Sequence, residues 1–66
     1  MKPHPMEVEI QEIQIKIYKL KDYMDSADFK NHHQEYKRIV RIQYDLLTNL
    51  LDVVTKRYEW IKKHTK

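Results

Sequence analysis

MDSADF, residues 24–29, is the stretch whose reading decides the fold of this chain. Asp25 or Ser26 can cap a new helix by accepting an N–H from its first turn. Asp28 would then lie in that turn, where the helix dipole favours a negative charge. Neither Gly nor Pro stands there to force a reversal. The alternative is one long helix running straight through.

On the N-terminal side of this stretch, Met6, Ile10, Ile13, Ile17, Leu20 and Met24 recur at spacings of 4, 3, 4, 3 and 4. That is an unbroken heptad seam. Pro5 suits a first helical turn, where its missing N–H costs nothing. Glu7, Glu9 and Glu12 put negative charge near the helix N-terminus. The pattern predicts a first helix over about residues 5–24 and a turn over about 25–27. Val8, Ile15 and Tyr18 form a second, sparse apolar stripe opposite the seam.

On the C-terminal side, no helix breaker follows Asp28, so a second helix is expected over about residues 28–64. Its polar side carries Gln34, Lys37, Arg38, Arg41, Asp45, Thr48, Asp52, Thr55, Lys56, Glu59 and Lys63. Asp52 with Lys56 and Glu59 with Lys63 have the acid-before-base i,i+4 order that supports a helix. The opposite arc, from Phe29 and Tyr36 through Ile39, Val40, Ile42 and Tyr44 to Ile61, is roughly 200° wide. One neighbour needs an apolar stripe of only about 100°. The second helix is therefore expected to touch two neighbours or more.

A chain folded at Ser26 would set residue n against roughly residue 52 − n. Ile17 would meet Tyr36, Ile13 would meet Ile39, Ile10 would meet Ile42 and Gln43, and Met6 would meet Leu46. Residues 48–61 would then project about 20 Å beyond the first helix. This predicts an interface of Leu46, Leu47, Leu50, Leu51, Val53, Val54, Tyr58, Trp60 and Ile61, to be covered from outside the chain. The simplest cover is a second copy, since most soluble oligomers are symmetric homodimers. The expected fold is all-α, an antiparallel helical hairpin with a longer second helix, self-associating into a four-helix bundle. That plan resembles the Rop-like plasmid regulators in architecture. No motif of theirs stands in this chain, so no RNA-binding residue carries over. The other possible cover is a different protein docking on the second helix.

Composition narrows the function. Sixty-six residues make one small domain, which buries a modest core by itself. With no Cys, disulfides and Cys-based zinc sites are excluded; with no Gly, phosphate-cradling loops are too. The net charge of +3 with 35% charged residues is mildly basic. No apolar run approaches the ~18 residues of a membrane span, and MKPHPMEVEI lacks the apolar segment of a signal peptide. A cytoplasmic location is the expectation, with no membrane partner and no cofactor.

Candidate sites are few. Gln43 and Arg57 interrupt the apolar arc, where a polar residue can specify register and partner number. His32 and His33 lie near Asp28 and Glu35; Asp28 and His32 share a face at i,i+4, but adjacent histidines point about 100° apart. No metal site is expected. KRYEWIKKHTK, residues 56–66, interleaves Lys56, Arg57, Lys62, Lys63 and Lys66 with Tyr58 and Trp60. Basic residues with aromatics suit nucleic acid, and basic residues at a helix C-terminus also suit the dipole. HQEYKRIV, residues 33–40, resembles at Gln34 and Glu35 the Ser-Gln-Glu-Leu-Asp signature of the sporulation aspartyl-phosphate phosphatases. Lys37 replaces the acidic residue of that signature, and the activity does not carry over.

No catalytic residues are expected. The function expected is non-enzymatic: a small regulatory or adaptor protein working by helix-mediated contact, of a kind common among phage and mobile-element products. A dimeric nucleic-acid binder using the basic C-terminal end and a scaffolding piece of a larger assembly are the alternatives.

Overall fold

The computed structural model describes residues 3–64. Three helices follow in order: α1 Pro5–Met24, α2 Ala27–Lys30 and α3 Gln34–His64. Among the described residues there is no strand, as the all-α expectation requires. Pro5 opens α1, and His4 caps it by accepting the Met6 N–H at Nδ1, 3.0 Å away.

The break after Met24 falls where expected, but it is longer. Ser26 does cap a helix, accepting the Phe29 N–H at 3.2 Å. The helix it caps is only the single turn of α2. The chain leaves helical geometry only after Asn31, which still caps α2 in the helical region, and His33 starts α3 instead. The His33 ring accepts the Glu35 N–H at 3.3 Å and its carbonyl accepts the Lys37 N–H at 3.1 Å. Asn favours helix ends over interiors because its short polar side chain competes for nearby backbone groups, and the His33 ring acts here as a cap. The second helix therefore begins at Gln34 rather than near residue 28. Phe29, the one apolar side chain of the connection after Ala27, is buried and meets the Tyr23 ring edge-on at 5.5 Å.

The longer connection shifts the register of the two long helices. Met6, Ile13 and Val54 form the core cluster, with Ile10, Ile17, Leu51, Tyr58 and Ile61 packed on it. Leu20 and Leu47 line one shallow groove between the helices, and Ile17 and Leu51 line another. The Tyr58 hydroxyl donates to the Glu7 carboxylate, and His4 lies 5.1 Å from the Tyr58 ring. Residue n of α1 thus lies beside about residue 67 − n of an antiparallel α3. The 52 − n register is overturned, and with it the uncovered projection of residues 48–61. α1 does reach that end of α3.

The seam α3 turns toward α1 is Val40, Tyr44, Leu47, Leu51, Val54, Tyr58 and Ile61, spaced 4, 3, 4, 3, 4 and 3. Two heptad seams thus face each other along the molecule, which measures 51 × 22 × 12 Å. Val8 and Ile15 lie on the outer side of α1, exposed, while the exposed Tyr18 flanks the groove lined by Ile17, Tyr44 and Leu51.

Ile13 is 5% exposed and Tyr18 71%. Ile13→Ala is expected to cost about 2–4 kcal/mol through the cavity it leaves. Tyr18→Ala should stay within about 0.5 kcal/mol. Urea unfolding followed by circular dichroism checks both; equal losses at the two positions would contradict the 67 − n packing.

Candidate interaction surface

α1 divides the wide apolar arc of α3 into two rows. The first is the covered seam, and it takes five of the residues expected at an external interface: Val54 is buried, Leu51, Tyr58 and Ile61 are half-buried against the core cluster, and Leu47 belongs to the same seam. Leu47 is also half-buried. The second row is Ile39, Ile42, Leu46, Leu50, Val53 and Trp60, which are 45–62% exposed. At 100° per residue this row is centred about 120° around the helix from the seam. One neighbouring helix cannot cover both. Ile39, Ile42 and Leu46, which the 52 − n register set against α1, belong to the exposed row.

The exposed row is long. From Ile39 to Trp60 it runs about 32 Å along α3. A compact monomer of 8.2 kDa exposes about 4,500 Å²; this chain exposes 5803 Å². The excess, about 1,300 Å², follows from the thin two-helix shape. Buried apolar side chains among the described residues are Met6, Ile13, Phe29, Val40 and Val54. That is a small core for a chain with so many large apolar residues.

The polar interruptions lie beside this row. Gln43 and Arg57 are exposed, and Gln43 lines a shallow groove with Lys16, Lys19, Leu20 and Leu47. Asp52 pairs with Lys56 at 3.0 Å; among the described residues no such pair joins Glu59 to Lys63. At the C-terminal end Lys62 lies 4.6 Å from the Tyr58 ring centre, and His64 stacks on Trp60 at 4.0 Å. Lys56 and Lys62 thus have partners within the helix, and Lys63 is exposed. Lys66 lies outside the described residues. His32 stands 3.8 Å from Asp28 and stacks near Tyr36, while His33 is used as a helix cap. Among the described residues no three His, Asp or Glu side chains converge as metal ligands would. Among them also, no helix is long and apolar enough to cross a membrane.

Two tyrosines have raised pKa values. Tyr58 rises because its hydroxyl donates to Glu7, with desolvation adding to the effect. Tyr23, bonded hydroxyl to hydroxyl with Tyr36 at 3.0 Å, is pushed up to about 12. The hydrogen bond to Tyr36 is the largest cause, ahead of desolvation and the charge of Asp28. This bond ties the end of α1 to the start of α3. Compared with protein-family models, curated proteins and solved structures, the chain matches none.

A phenol whose folded pKa lies above its unfolded value stabilises the fold below the unfolded pKa and loses that contribution as pH rises through the folded one. The tie between Tyr23 and Tyr36 should therefore weaken between pH 10.0 and about 12. In a tyrosinate absorbance titration, Tyr36→Phe is expected to bring the late-titrating Tyr23 down toward its ordinary range. An unchanged late component would exclude the bond.

Proposed function

We propose that this chain is a small, cytoplasmic, non-enzymatic regulatory or adaptor protein that works by helix-mediated protein–protein contact, self-associated into a helical bundle. The observation that carries this reading is the exposed row Ile39, Ile42, Leu46, Leu50, Val53 and Trp60 on one face of one helix. Burying a large apolar side chain contributes about 1.5–3 kcal/mol, so a row of six is a strong drive to associate. Monomers rarely leave a contiguous apolar patch larger than a few hundred Å². Helix-face recognition reads anchors at i, i+3, i+4 and i+7, and Ile39, Ile42 and Leu46 stand at i, i+3 and i+7.

Leu46 is 62% exposed, so Leu46→Asp costs the single chain little and acts on the association. Sedimentation equilibrium at low and high salt is the test. The wild type is expected at about twice the 8.2 kDa chain mass, with little dependence on salt. Leu46→Asp should weaken association about 100-fold or more, since the change is made in both copies, while helix content holds. A Leu46→Asp protein that associates like the wild type would rule out this surface. A wild type that is monomeric throughout would rule out self-association. A steep loss of association with salt would point to charge instead of apolar contact.

A further inference from the structure

We propose that a second copy of this chain covers the exposed row, with the two α3 helices antiparallel about a twofold axis beside Leu50. This rests on the self-association read above and adds its orientation and register. The carrying observation is where the polar interruptions fall. Gln43 lies seven residues before Leu50 and Arg57 seven residues after it, both exposed on the side of the row. Seven residues are close to two helical turns, so all three positions share one side of α3.

In an antiparallel pair centred on Leu50, residue n faces about residue 100 − n of the other copy. Gln43 then meets Arg57 of the second copy, and Arg57 meets Gln43 of the second copy. The guanidinium donates and the amide oxygen accepts, so neither polar group is left without a partner when the surface closes. Leu46 faces Val53 of the second copy, Ile39 faces its Trp60, and Leu50 faces Leu50. Apolar meets apolar at these contacts, and Ile42 lies against the Arg57–Tyr58 turn of the second copy. A parallel pair would set Arg57 beside Arg57, a like-charge contact that disfavours association. It would also gather Lys62, Lys63 and His64 of both last turns. The antiparallel pair separates these and opposes the helix dipoles. Within one chain Gln43 and Arg57 are about 21 Å apart along the helix, so any coupling between them comes from a second copy.

The chain has no cysteine, so single-cysteine variants each report one distance. On oxidation, Leu50→Cys should cross-link to itself. Ile39→Cys and Trp60→Cys should each stay uncross-linked alone and form a mixed dimer when combined. Self-cross-linking at both 39 and 60 would mean a parallel pair and overturn the proposal, while leaving self-association standing. A second measurement does not depend on the cysteines. Gln43→Glu places a carboxylate opposite Arg57 in two symmetric pairs and should tighten the dimer about 2- to 30-fold by sedimentation. Gln43→Lys should weaken it. Weakening by both substitutions would contradict the antiparallel register, because in a parallel pair the introduced carboxylate would face its own copy. A chain that remains monomeric under all conditions would sink the proposal together with the self-association on which it rests.

Discussion

The contact of Ile13 with Val54 is the one on which the rest of this small structure depends. It joins two heptad seams, Met6 to Met24 on α1 and Val40 to Ile61 on α3, that each repeat every 3.5 residues on average. Helices with such seams pack side by side because the apolar residues stay on the facing side for several turns. Which turn meets which is not set by the seams, since a heptad repeat matches itself at every shift of seven. It is set by the connection. Ser26 caps the short α2, Phe29 is buried against Tyr23, and His33 restarts the chain as α3. Those local contacts lengthen the link and bring the N-terminus of α1 down to Tyr58 and Ile61.

Once the seam of α3 is used, its remaining apolar residues have no place within the chain. The covered seam follows sevens, and in the exposed row Ile39, Leu46, Val53 and Trp60 are likewise seven apart. Such a row is suited to a long helical neighbour, and the thin molecule leaves room for one. The same thinness explains why so few side chains are fully buried.

At the C-terminal end several of the basic side chains have partners within α3. Lys62 rests near Tyr58, Lys56 pairs with Asp52, and His64 stacks on Trp60. Basic charge here also answers the negative end of the α3 dipole. Of the His32 and His33 pair, one side chain lies beside Asp28 and Tyr36 and the other caps α3.

Much of this was legible in the residues alone. The absence of Gly, the heptad of α1, Pro5 at its start and Ser26 as a cap determine helices and one break between them, because these are local effects acting within a turn or two. The excess width of the apolar arc on α3 is equally local, and it shows that one neighbour cannot satisfy that helix. The seam from Val40 to Ile61 was also present as a strict alternation of threes and fours, hidden inside a wider arc that merged two rows. Only the tertiary structure decided how that arc is divided. The division depends on the length of the link, and the link depends on Phe29 finding Tyr23 and on His33 turning its ring back to the backbone. Those are side-chain contacts that the spacing of apolar residues does not register, so a reading of spacing along one chain placed the reversal too tightly and left α1 about fifteen residues short of its partner on α3.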